Sequence, residues 1–216
     1  ELKYENELSL KAENKKFQYL NNCWSTMSGL HQSLISVFSE YILRNEKDIQ
    51  DLITLINDVP RYTNDVLEYT KKQADKNTLQ FDYDSVTQDI QDVINNKADS
   101  SITSALYNAI DTLNLDEEKT TSYKAQVKDA MDTSFFPSYQ DMLDTLTSLQ
   151  YNVQPLQGLS NYKNGKKYYK VLVENATSST DSISTIKENT QSAINSAITK
   201  FQKLSLIHIS EPTRRS

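Results

Sequence analysis

The chain has 216 residues, enough for one domain or for part of a larger one with a substantial core. Only 3 Gly and 4 Pro leave little material for β-turns, so the composition predicts an all-α fold. A formal net charge of −6 speaks against nucleic acid as a partner, and no stretch nears the roughly 20 apolar residues of a transmembrane segment.

Residues 5–22 carry Leu8, Leu10, Ala12, Phe17 and Leu20 among many charges, a pattern that predicts a first helix. Trp24, Met27 and Leu30 surround Gly29, so 23–31 reads as a packed connection ahead of the apolar run Leu34 to Leu43. Asn45 is suited to cap a helix over 46–57 whose face is Ile49, Leu52, Ile53 and Ile56. Pro60 is expected to end that helix and to sit in the first turn of another, 59–76, the two lying antiparallel. Helices are predicted over 83–97 and 101–113, then over 116–150 from a start at Asn114 or Asp116, with a kink at Pro137.

Gly158, Gly165 and Pro155 mark an irregular connection near 151–165, the one place where propensity and punctuation together demand non-helical chain. Beyond it, 166–175 reads as helix from the spacing of Tyr169, Leu172, Val173 and Ala176, with an Asn-Gly hairpin turn as the rival. A final helix is expected over 182–202, with Ile183, Ile186, Ile194, Ile198 and Phe201 facing inward. The whole is a multi-helix array or bundle, read as a partial domain.

The segment from Gly158 and Leu159 through Tyr162, Gly165, Lys166, Tyr168 and Tyr169 to Leu172 and Val173 resembles a known pattern. It is similar to the Gly-Leu-x-x-Tyr-x-x-Gly-Lys-x-Tyr-Tyr-x-x-Leu-Val stretch of the bacterial family called domain of unknown function 885, whose members resemble zinc metallopeptidases. Ser28-Gly29, Glu40-Tyr41, the 45–49 helix start, Pro60 with Tyr62, and Glu68 follow the family's order as well. Between Met27 and Val37 the chain departs from it, having Ser33-Leu34-Ile35 and no proline. The resemblance implies a peptide substrate, an extracytoplasmic or cell-surface location as a secreted protein or lipoprotein, and zinc in the parent protein. It places a His-Glu-x-x-Pro-Gly-His motif downstream of this sequence, so no catalytic residue carries over and the fragment is expected to be inert.

No His-Glu-x-x-His, phosphate loop or Gly-x-Ser-x-Gly occurs in 1–203. Cys23 is the only cysteine, and His31 lacks partners for a zinc site, which makes it a surface or core-edge residue. Within the irregular stretch, Tyr162, Lys166, Tyr168 and Tyr169 are the candidate substrate-cleft residues. Tyrosines near a helix start more often bury their rings and satisfy the hydroxyl at the rim. In the functional reading one hydroxyl donates to a peptide carbonyl or oxyanion. Residues 204–216, ending Pro-Thr-Arg-Arg-Ser, resemble a translated sequencing adapter and are set apart as a non-native tail behind a 1–203 helical fragment. Such a fragment is expected to leave an apolar face open near Tyr162, Tyr168, Tyr169 and Val173, through which it can self-associate.

Overall fold

A computed structural model describes residues 2–210, the side chains of Leu2, Tyr4 and 205–210 apart. The described residues are all-α: α1 (Leu2–Ala12), α2 (Leu30–Ser39), α3 (Glu46–Asp75), α4 (Tyr83–Asn95), α5 (Ser101–Asp111), α6 (Glu117–Ala130), α7 (Phe136–Ser148), α8 (Gly165–Thr177) and α9 (Ile183–Ser210). They fall into two units, one of residues 18–162 and one that joins the chain up to Phe17 with the chain from Lys163 onward.

Local chemistry sets most helix starts. Asn45, Asp82, Ser100 and Asp116 each accept a hydrogen bond from the backbone N–H three residues on, at Asp48, Ser85, Thr103 and Lys119. Each satisfies one of the donors that a first helical turn leaves unpaired. Asn77 and Asn114, with φ of 54° and 51°, stand just past α3 and α5 in the left-handed conformation that asparagine tolerates.

Two expected boundaries fail, and the disturbance expected at Pro137 takes a particular form. The first helix stops at Ala12 instead of running to 22. Asn14 accepts from the N–H of Phe17 through its carbonyl and from that of Lys16 through its side chain, and the chain turns there. Pro60 does not separate two helices, because α3 runs unbroken through it for 30 residues. Ile49, Leu52, Ile56, Val59, Thr63, Leu67, Thr70 and Ala74 form one buried face across the proline. Burying that face outweighs the roughly 3 kcal/mol that an interior proline costs a helix. At Pro137 the helix becomes a five-residue π turn, Met131–Phe135, closed by Phe136 N–H bonding to the Met131 carbonyl. The wider turn relieves the clash between a proline ring and the carbonyl four residues back, so α6 and α7 stay continuous around it.

The core of the 18–162 unit lies where α3 meets the π turn, α6 and α7, with α4 packed along α7 and α2 along α5. Phe135 sits at its centre, edge-on to Phe38 and Phe136 with ring centroids 5.6 and 5.4 Å away. Trp24 is sealed with zero exposure, and its indole N–H donates to Thr70 Oγ1 at 2.9 Å. The expected irregular connection is present. Short 3-10 turns at Gln150–Asn152 and Leu159–Asn161 flank a segment in which Gln154 N–H bonds to the Leu79 carbonyl and Gln157 N–H to Gln80 Oε1.

In the other unit α1 packs on α8, with Leu8, Phe17 and Tyr168 buried. The helical reading of 166–175 holds and the hairpin does not: Asn164 takes φ 64° and α8 starts at Gly165. The inward face expected of α9 is overturned. Ile194, Ile198, Phe201 and Leu204 are exposed at 48, 51, 74 and 59 %, Ile183 is exposed too, and only Ile186 of the expected set is half-buried. Among the described residues α9 packs extensively on no other element. The side chains of Leu206, Ile207 and Ile209 lie outside the described residues, as does everything beyond Ser210. Because Leu204 already faces solvent, deleting 204–216 is expected to leave the thermal midpoint unchanged in a calorimetric scan. A drop of several degrees would show that the tail belongs to the fold.

Candidate functional site

The four residues singled out from the sequence do not form one constellation. Tyr162 closes the 18–162 unit, half-buried, its hydroxyl accepting from Gln157 Nε2 at 3.0 Å. Lys166, Tyr168 and Tyr169 lie in the other unit, on the first turn of α8. Tyr168 turns inward, 7 % exposed, its ring 5.1 Å from that of Phe17, and burial pushes its phenol pKa up. Lys166 and Tyr169, three residues apart on one side of the helix, remain open to solvent.

A cleft that the sequence did not announce lies in the 18–162 unit. The end of α4, the 3-10 turn at Lys97–Asp99 and the first turns of α5 form one wall, and the π turn with its flanks forms the other. Its volume is about 620 Å³, within the 300–1,000 Å³ usual for small-molecule sites. Met131 and Phe136 are its buried apolar residues. Its charged centre is Asp132, which accepts from Lys128 one helical turn earlier and pairs with Lys97 Nζ at 3.2 Å. The Lys128 hydrogen bond is the main reason that the Asp132 carboxyl is held below its usual range. Lys97 also lies over the Phe136 ring, 5.4 Å from its centroid. Lys128 and Asp132 were legible as a spaced pair, but Lys97 reaches them only through the fold.

His31 was misjudged as a surface or core-edge residue. It has zero exposure, stacks 6.2 Å from Trp24, and neither ring nitrogen has a hydrogen-bond partner. Asp89 Oδ2 is 3.6 Å from Nε2 and accepts from Gln32 Nε2. Burial drives the imidazole pKa down, and the Asp89 charge opposes this only partly. No group of three or more His, Cys, Asp or Glu among the described residues is placed to hold a metal ion. No helix among them is long and apolar enough to cross a membrane.

Neither the curated proteins nor the solved structures contain a match to the chain. A family model described as "Bacterial protein of unknown function (DUF885)" matches residues 2–204, nearly the whole sequence and both structural units. The chain therefore belongs to this bacterial family, DUF885.

Proposed function

We propose that the chain is the helical, cleft-forming part of a secreted or lipoprotein-type zinc peptidase, and that the metal ligands are supplied by sequence outside it. The observation that carries this reading is the apolar stripe of α9, where Ile194, Ile198 and Phe201 are 48, 51 and 74 % exposed. Each such side chain forgoes roughly 1.5–3 kcal/mol of burial, and a stripe of this length on a finished monomer calls for a cover. The chain's membership of the family supports the reading, as does the likeness of Gly158–Val173 to the family segment that precedes the zinc motif. On this account peptide substrate meets Tyr169 and Lys166, and the parent works outside the cytoplasm.

A second reading, a non-enzymatic extracellular binding or structural module, is favoured by the 18–162 unit, which has its own core and its own cleft. The experiment that separates the two compares this chain with the gene product continued through a downstream His-Glu-x-x-Pro-Gly-His, each given a peptide library with and without zinc. The peptidase reading expects chelator-sensitive cleavage by the longer product and none by the chain. A gene whose continuation lacks the motif would contradict the peptidase reading.

A further inference from the structure

The cleft beside the π turn combines features that the rest of the molecule does not require. Two lysines converge on one carboxylate: Lys97 at 3.2 Å and Lys128 by a direct hydrogen bond, both on Asp132. Two lysines thus meet two acids in the lining of this 620 Å³ cleft, Asp132 between them and Asp99 on the rim. Lys97 also faces the Phe136 ring, 5.4 Å from its centroid. Beside it lie the buried Met131 side chain, Ala98 and the half-buried Tyr107, with the hydroxyl-bearing Thr103 and Ser104 on the α5 wall. The π turn that presents Asp132 widens the helix at this place, and such turns recur at functional sites.

We propose that this cleft binds a small carboxylate-bearing ligand with an apolar body, its acid group seated between Lys97 and Lys128. A single carboxylate can take the place of Asp132 on the two lysines. A phosphate dianion would meet stronger repulsion from Asp99, an exposed acid on the same rim. Asp132 occupies the lysines in the empty cleft and competes with the incoming acid for them. This gives the site an unusual signature, because removing a negative charge from its wall must improve binding while removing either positive charge must impair it. The proposal stands independently of the peptidase reading, since no residue of α8 or α9 takes part.

The test is a titration of the full chain, followed by amide chemical shifts, with N-acetyl-L-phenylalanine and with its uncharged amide. The acid is expected to shift signals from 95–107 and 128–136, and the amide to bind much more weakly. Lys97→Gln and Lys128→Gln should each weaken the acid about tenfold, the worth of a charge-assisted hydrogen bond, and Asp132→Asn should tighten it several-fold. Circular dichroism and the thermal midpoint of each variant check that the fold is kept. Absence of binding to the unaltered chain, equal binding of acid and amide, or weaker binding by a folded Asp132→Asn would each overturn the proposal.

Discussion

Replacing Trp24 with alanine is expected to cost about 3–5 kcal/mol, the usual loss for deleting a large aromatic ring from a close-packed core. Trp24 has zero exposure and lies outside any helix, in the 18–29 connection, where Gln73 of α3 also donates to the Tyr19 and Asn21 carbonyls. Its ring faces Phe81 at 6.4 Å and His31 at 6.2 Å, and its indole N–H is the donor to Thr70 on α3. The same side chain thus fastens the 18–29 connection to α3 and to the start of α4. Trp24→Phe keeps most of the volume but removes the donor, and should cost less, although more than the roughly 1 kcal/mol of a single hydrogen bond once the smaller ring leaves space. Urea unfolding followed by circular dichroism measures both. A loss below 1 kcal/mol for Trp24→Ala would show that the loop is not part of the cooperative unit.

The second large effect is acid sensitivity centred on His31. Its folded-state pKa is lowered, chiefly by burial, so the unfolded chain binds a proton that the folded chain refuses. Stability contributed by the neutral ring is complete well above the unfolded value near 6.5. It is lost as pH falls through that value toward the depressed folded one. Protonation would put a cation at the start of α2, where the helix dipole already carries positive charge, with Asp89 as the acid beside it. Unfolding free energy measured between pH 8 and 5 is therefore expected to fall below about pH 6.5. In His31→Leu that part of the slope should vanish, and stability at pH 8 should be kept or raised, because an unsatisfied polar ring has been replaced. An unchanged slope in the variant would assign the acid sensitivity to other groups.

How much of this was legible in the sequence follows from the range of each interaction. Asn45 and Asp116 act within three residues, so their helix starts could be read directly, and the all-α class followed from the scarcity of turn residues. Pro60 misled because its local cost is visible in sequence while the burial that overrides it, from Ile49 to Ala74, is a tertiary quantity. Pro137 was rightly seen as a disturbance inside one helix, and the five-residue π turn ahead of it is a form of that disturbance that residue spacing does not specify. His31 and the Lys97 arm of the cleft depend on partners up to 58 residues away, at Asp89 and Asp132, with no spacing to announce them. The stripe of α9 was correctly seen as apolar, yet periodicity shows that a helix has a greasy face without showing that anything covers it.

On the proposed reading, this family member supplies helical scaffold and cleft while the metal ligands come from sequence outside the chain. Zinc titration of the purified full chain, read by calorimetry and by metal content after dialysis, tests it most directly. No stoichiometric zinc and no change in thermal midpoint on adding it are expected, since a ligand that binds only the folded state must raise that midpoint. One tightly held equivalent of zinc, accompanied by a higher midpoint and by peptide cleavage, would contradict that reading.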